Sequence, residues 1–330
     1  MIADIIPIAI LFVVEGVTQG ERMRVAHAAK AALALLACLA AVGSAKAAAG
    51  YMDLNQDGRC ELAVYAPAMG AWYARTLEGT AVLFGDVWGG PGLAPVPGDY
   101  DGDGLPDLAV YDEANGAWYI RTLAGQAIVW GLAWGAPGLV PVSGDYDGDG
   151  RCDLALYSRS SGEWFIASAD GAVQVWGHVW GGPRLWPVSG DFDGDGIYDL
   201  AVFSQAEGAW YVESLQGGVL VGGVVWGGMG WYPMPGDCDG DRRSDLIVYS
   251  PSDGRWYARA TDDRVLVWAQ ALGGPGFQPV TGDFDGDGLT DLAAFAPSTG
   301  QWFIWTAANA TPVWGEMWGG PGMYAVGAWE

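Results

Sequence analysis

Lysine is nearly missing from this chain. Both copies among its 330 residues, Lys30 and Lys46, lie in the first 46, so arginine is the only strong cation of everything that follows. Histidine is as scarce, and His178 stands alone after residue 27. A nucleophile needing a histidine base would have that one to use, and neither a Gly-x-Ser-x-Gly segment nor zinc-ligand spacing occurs. Long helix-forming runs are absent after residue 50, which leaves strands and turns. Cations are outnumbered: 39 acidic residues face 15 Lys and Arg, for a formal net charge of −24. That balance excludes nucleic acid and anionic membrane surfaces as natural partners. Cysteine is sparse too. Beyond residue 46 there are Cys60, Cys152 and Cys238, an odd number that excludes a fully paired framework, and all three are expected to be unpaired and structural.

The first 47 residues read as a segment apart. From Met23, "MRVAHAAK" is a basic n-region, "AALALLACLAAVG" an apolar h-region, and "SAKA" ends on an Ala-x-Ala pattern at Ala45 and Ala47. Thirteen apolar residues are too few for a stop-transfer helix. The expected organisation is an N-terminal extension and signal peptide over 1–47, with a true start at Met23 and cleavage near Ala47, followed by one domain over 48–330. A short anchor built on "IIPIAILFVV" is the alternative for residues 1–22, and lipidation at Cys38 is the weaker reading because "LAAV" follows it. The protein is thus expected to be secreted or held at the cell surface, with no membrane association beyond the signal peptide.

What the remaining chain has in abundance is repetition. Acidic loops begin at Asp53, Asp99, Asp145, Asp191, Asp237 and Asp283, each 46 residues after the last. A strict period means one supersecondary unit copied. Each unit holds four strand-like runs, in the second "LAPVPG", "DLAVYD", "AWYIRTL" and "QAIVWGL", with turn signals between them. Four short antiparallel strands in this length make a propeller blade, so the expected fold is all-β, a six-bladed β-propeller of four-stranded blades. The last unit is followed by "MYAVGA", which aligns with "FQPVTG" 46 residues earlier, while the first unit lacks a first strand of its own. The C-terminal strand is therefore expected to complete the first blade and close the ring, removing exposed sheet edges. An open solenoid would need polar capping units, and the end units look ordinary.

The motif Asp-x-Asp-Gly-Asp-Gly-x-x-Asp-Leu, six times in phase over residues 51–330, resembles the calcium loop of the FG-GAP/VCBS repeat family, which includes the integrin α-subunit propeller. It departs from the integrin pattern in its uniform "W-G-G-P-G" segment, so the resemblance implies the fold and the calcium loops but no integrin-like partner. Calcium takes six to eight oxygen ligands, and a nine-residue loop with carboxylates at positions 1, 3, 5 and 9 and a carbonyl at 7 supplies them. In the second unit these are Asp99, Asp101, Asp103, the Leu105 carbonyl and Asp107. The third offers Asp145, Asp147, Asp149, Arg151 and Asp153; the fourth Asp191, Asp193, Asp195, Ile197 and Asp199; the sixth Asp283, Asp285, Asp287, Leu289 and Asp291. The first reads Asp53, Asn55, Asp57 and Glu61, with one charge fewer. The fifth keeps Asp237, Asp239, Asp241 and Asp245 but carries Arg242 where the others have glycine, with Arg243 beside it, so it is expected to be weak or empty. The loops hold 23 of the 39 acidic residues, and six calcium ions would offset half the formal charge.

Two tryptophan sets recur in phase, Trp72, Trp118, Trp164, Trp210, Trp256 and Trp302, and Trp88, Trp134, Trp180, Trp226 and Trp318 with Leu272 as the exception. Identical phase is what inter-blade packing produces. One position after "W-G-G-P-G" varies instead: Ala94, Val140, Trp186, Tyr232, Gln278, Tyr324. Variation among uniform copies marks a candidate recognition site, with Trp186, Tyr232 and Tyr324 as its contact residues. In an antiparallel blade the loops after strands one and three share one face, so this position faces away from the acidic loops. The sequence supports a monomeric extracellular binding module, with calcium structural and a glycan or an extracellular protein as partner. A purely structural matrix protein is the alternative, and no enzyme is expected.

Overall fold

The computed structural model describes residues 52–306 and 313–327. The expected signal peptide, with Met23, Cys38 and Ala47, lies outside the described residues, as does the boundary between the two expected domains. Among the described residues the regular structure is strand alone, in six four-stranded antiparallel sheets arranged as a β-propeller. Blade 2 runs outward through Leu93–Pro95, Leu108–Asp112, Ala117–Arg121 and Ala127–Ala133. Ring closure is as expected: Tyr324–Ala325 pairs with Leu62–Ala66 of blade 1, Val64 against Ala325 and Tyr65 against Tyr324. The Val326 N–H extends that pairing by donating to the Ala63 carbonyl at 3.0 Å.

Burial peaks at the second strand of each blade, with the first strand half-buried and the outer strands increasingly exposed, and sequence explains why. The second strands are unbroken apolar runs such as Leu62–Ala66, buried on both faces between neighbouring sheets. The third strands alternate, and the fourth, such as Ala127–Ala133, face solvent over most of their length. The cores therefore lie between blades. Leu62 and Val64 of blade 1 pack with Phe295, Trp302 and Ile304 of blade 6. Tyr65 and Trp72 face Leu108 and Val110 of blade 2.

Both tryptophan sets do the packing their phase implies. The first is buried throughout, and each indole N–H donates to the carbonyl sixteen residues on, as from Trp72 to Trp88 at 2.7 Å. That bond ties the third strand to the loop leaving the fourth. The second set is half-buried between blades, where Trp88 donates to the Tyr119 carbonyl at 3.2 Å and Trp134 to that of Leu154 at 2.7 Å.

Candidate functional site

In blades 2 to 6 the acidic loop joins the first strand to the second, in blade 1 it leads into the second strand, and its shape is written in carboxylate-to-backbone hydrogen bonds. In blade 2 the Asp99 carboxylate accepts the N–H of Gly102 at 2.6 Å and of Gly104 at 2.8 Å. Asp101 accepts from Asp103, and Asp103 from Leu105. Asp107 closes the loop by accepting from Tyr100 at 2.8 Å. The same pattern recurs in the loops from Asp145, Asp191, Asp237 and Asp283.

These bonds bring positions 1, 3 and 9 together. Carboxylate oxygens of Asp99, Asp101 and Asp107 lie within 4.8 Å of one another, as do those of Asp145, Asp147 and Asp153, of Asp191, Asp193 and Asp199, and of Asp237, Asp239 and Asp245. In the first loop the trio is Asp53, Asp57 and Glu61. In loops two to five the position 5 carboxylates, Asp103, Asp149, Asp195 and Asp241, stand outside these trios. Each holds instead the N–H two residues on, that of Leu105, Arg151, Ile197 or Arg243, at 2.8–2.9 Å. Asp287 holds the N–H of Leu289 in the same way at 2.9 Å.

Packing oxygens this closely is costly without a cation, and the titration of the innermost groups reflects it. Burial pushes the carboxyls of Asp107, Asp153 and Glu61 up to about 7 and those of Asp199 and Asp245 to about 8, with neighbouring carboxylates adding to the rise and hydrogen-bond donors opposing it. Protein donors turn into three of the clusters. Gln174 donates to Asp147 at 2.6 Å and Asp153 at 2.9 Å, and Asn55 to Glu61 at 2.8 Å. Arg264, from the turn between the third and fourth strands of blade 5, reaches Asp239 at 2.8 Å and Asp241 at 3.7 Å. An all-oxygen donor set that attracts amide and guanidinium groups fits a hard divalent cation.

The fifth loop keeps its backbone despite Arg242. That residue sits at φ 68° in the left-handed region, where the other loops place glycine, and its N–H still reaches Asp237 at 2.8 Å. Arg243 lies along Gly194 of the preceding loop, so Arg264 is the cation at this cluster. Sequence reasoning missed both Gln174 and Arg264. Their signal was a break in phase, since the copies of Gln174 in blades 1, 2, 4 and 5 are Val82, Ile128, Leu220 and Leu266.

The loops also form a chain around the ring. The N–H at position 8 of each loop donates to the position 1 carbonyl of the loop before it: Cys152 to Asp99, Tyr198 to Asp145, Ser244 to Asp191, Thr290 to Asp237 and Cys60 to Asp283, at 2.5–2.7 Å. Pro106 has no N–H, so the second loop lacks this donor. Cys60, Cys152 and Cys238 are free thiols, and burial pushes Cys152 up to about 12.

At the opposite end of the blades the variable position behaves as a lining. Trp186 pairs with Phe203, Tyr232 with Tyr249 and Tyr324 with Tyr65, each at the strand end remote from the acidic loop. Trp186 and Tyr324 line a cavity of about 370 Å³ enclosed by the innermost strands, and Tyr232 adjoins it through Pro233. Two residues of the variable tips join them. Arg159 lays its guanidinium 3.4 Å from the centre of the Trp186 ring, and Glu113 completes the rim.

Comparisons with known proteins agree with this architecture. The family model described as FG-GAP-like repeat matches residues 53–110, 145–234 and 237–294, and that for the FG-GAP repeat matches 275–314. No curated protein sequence matches the chain. Among solved structures, an Agrocybe aegerita lectin described as recognising non-reducing terminal N-acetylglucosamine is 14% identical, with a TM-score of 0.51 over 77% of this chain and 79% of that one. A Bacteroides caccae protein of unknown function is 12% identical, TM-score 0.49, over 78% and 93%. Virginiamycin B lyase from Staphylococcus aureus is 11% identical, TM-score 0.47, over 80% and 86%. At these identities the likeness is one of fold.

Proposed function

The chain belongs to the FG-GAP-like repeat family, and from that premise we propose that it is a secreted, calcium-stabilised propeller that acts as an extracellular binding module rather than an enzyme. The observation that carries the calcium reading is the set of acidic clusters whose oxygens converge within 4.8 Å with no lysine in the blades to neutralise them. Asp99, Asp101 and Asp107, with their counterparts in the other blades, would hold the ions. The chemistry supplied is charge neutralisation at the loops that link one blade to the next. Position 5 carboxylates and the Leu105, Arg151, Ile197 and Leu289 carbonyls would complete the shells. Recognition is assigned to the axial cavity, where Trp186, Tyr324, Arg159 and Glu113 give the ring its asymmetry, and a glycan or a protein segment is the partner class.

Calorimetric titration with calcium, paired with thermal unfolding in calcium and in chelator, tests this. Binding to the native state alone must stabilise it, by about 2.7 kcal/mol per site at a hundredfold excess over Kd. The melting temperature is expected to rise by more than ~5 °C on calcium addition. No heat of binding together with an unchanged melting temperature overturns the reading.

A further inference from the structure

The outermost strands carry a third aromatic set, and it is not buried. Phe84, Trp130, Trp176, Trp268 and Trp314 recur at the 46-residue step and are 70–74% exposed, with Gly222 in the sixth place. Large aromatic rings left this open in repeated register call for an occupant. Their pose is fixed. Each stands edge-on to the third-strand aromatic beside it: Tyr73–Phe84, Tyr119–Trp130, Phe165–Trp176, Tyr257–Trp268 and Phe303–Trp314 have centroids 5.1–5.8 Å apart and planes at 85–89°. A one-residue bulge makes that alignment. In blade 2 it falls at Gly131, so that Tyr119 meets Trp130 and Trp118 meets Leu132.

The neighbouring blade adds a second wall. Trp88 meets Trp130, Trp134 meets Trp176, Trp226 meets Trp268 and Trp318 meets Phe84, at 5.5–6.4 Å and 50–61°. Four of the six blade junctions thus present two aromatic rings set at an angle, one of them open to solvent. Charged side chains border three of these clefts. Arg121 lies over Trp88 and within 3.7 Å of Asp86, Arg75 over Trp318 and paired with Glu316, and Arg259 over Trp226. Nε of Arg75 and Arg121 and Nε1 of Trp226 and Trp318 are buried beneath these clefts without a protein acceptor, so the ring faces and the guanidinium and carboxylate ends are the groups a ligand meets.

We propose that these inter-blade clefts bind neutral pyranose rings, one to a cleft, so that the rim of the propeller is a multivalent glycan-binding surface distinct from the axial cavity. A pyranose offers a flat C–H face to an aromatic ring and a circumference of hydroxyls to guanidinium and carboxylate groups, a pairing that the Trp88–Trp130 and Trp318–Phe84 clefts present in full. Strand addition by another chain does not suit this edge, because the bulge breaks the straight run of backbone donors and acceptors. The platforms are single rings divided by charged pairs, unlike the continuous apolar patch of an obligate protein interface. Repetition around one rigid ring converts weak single-site affinity into avidity on a surface bearing many copies of the sugar.

The test uses the full calcium-loaded protein on a printed array of neutral glycans with terminal glucose, galactose, mannose and N-acetylhexosamine, alongside cellulose and chitin beads. These arms separate terminal residues from polysaccharide chains. The rim variant Phe84→Ala/Trp130→Ala/Trp176→Ala/Trp268→Ala is compared with wild type. Wild type is expected to bind at least one probe, and the rim variant at least tenfold less at an unchanged melting temperature. Should the rim variant lose its fold, Trp130→Phe and Trp130→Ala, each assayed by intrinsic fluorescence on adding the bound sugar, replace it. No binding by wild type, equal binding by the rim variant, or a wild-type dimer that the rim variant dissolves would each overturn the proposal. None of these outcomes touches the calcium-dependent unfolding that tests the calcium reading.

Discussion

At the scale of single residues, the fifth loop shows a cation supplied by the chain. Arg264 offers its guanidinium to Asp239 and Asp241, and Arg242 holds a left-handed backbone that glycine takes without strain. Two effects separate by mutation. Replacing Arg242 with glycine removes a conformational cost of about 1 kcal/mol and is expected to raise stability by that amount in chemical unfolding. Adding Arg264→Ala removes a competing charge, and calcium affinity at that loop is expected to rise at least tenfold by calorimetric titration. An unchanged calcium isotherm in the double variant would rule out competition by Arg264. The sequence led to an expectation of a weak site through Arg242, but Arg264 was not legible there. Arg264 approaches from a turn more than twenty residues downstream, and only the folded blade carries it there. The rim tryptophans were hidden for a related reason. Phase shows which residues are equivalent, but not which strand is outermost, so Trp130 and Trp118 read alike until burial parts them.

At the scale of elements, strand, turn and closure were written plainly in the sequence. Apolar runs of five and a glycine-rich loop every 46 residues leave little choice of architecture, and the closing strand followed from counting. What the pattern did not reveal is that the acidic loops are joined to one another. The junction is tight: a Cβ on Gly98 would stand 2.5 Å from the Cys152 sulfur of the next loop. Gly98→Ala is therefore expected to cost about 1–3 kcal/mol through overpacking. Cys152→Ala removes the obstructing sulfur, so the double variant is expected to lose less stability than the two single changes summed. Urea unfolding of all four proteins closes the cycle, and strict additivity would show that the two loops do not press on each other.

At the scale of the whole molecule, the repeated loops make stability a joint function of pH and metal. An unfolded aspartate titrates near ~3.9. In the folded, metal-free ring Asp107, Asp153 and Glu61 titrate at about 7 and Asp199 and Asp245 at about 8. A folded state with the higher pKa binds more protons between those limits, so its stability falls as pH rises. The contribution of these groups is full below pH ~4 and is lost as pH climbs through 7 to 8, opposite to the usual salt-bridged carboxylate. On the proposed calcium reading the sign reverses. Calcium would bind the deprotonated carboxylates and release their protons, so affinity would grow over the window in which the ring without metal weakens. The two unfolding curves are therefore expected to diverge with pH: in chelator the melting temperature falls from pH 5.5 to 8.5, and in millimolar calcium it holds or rises. Titration in a weakly buffered solution at pH 7 is expected to show protons released on calcium addition. Parallel pH profiles with and without calcium, or calcium uptake with no proton release, would mean that the loops are ionised before the metal arrives, and that burial does not govern their charge.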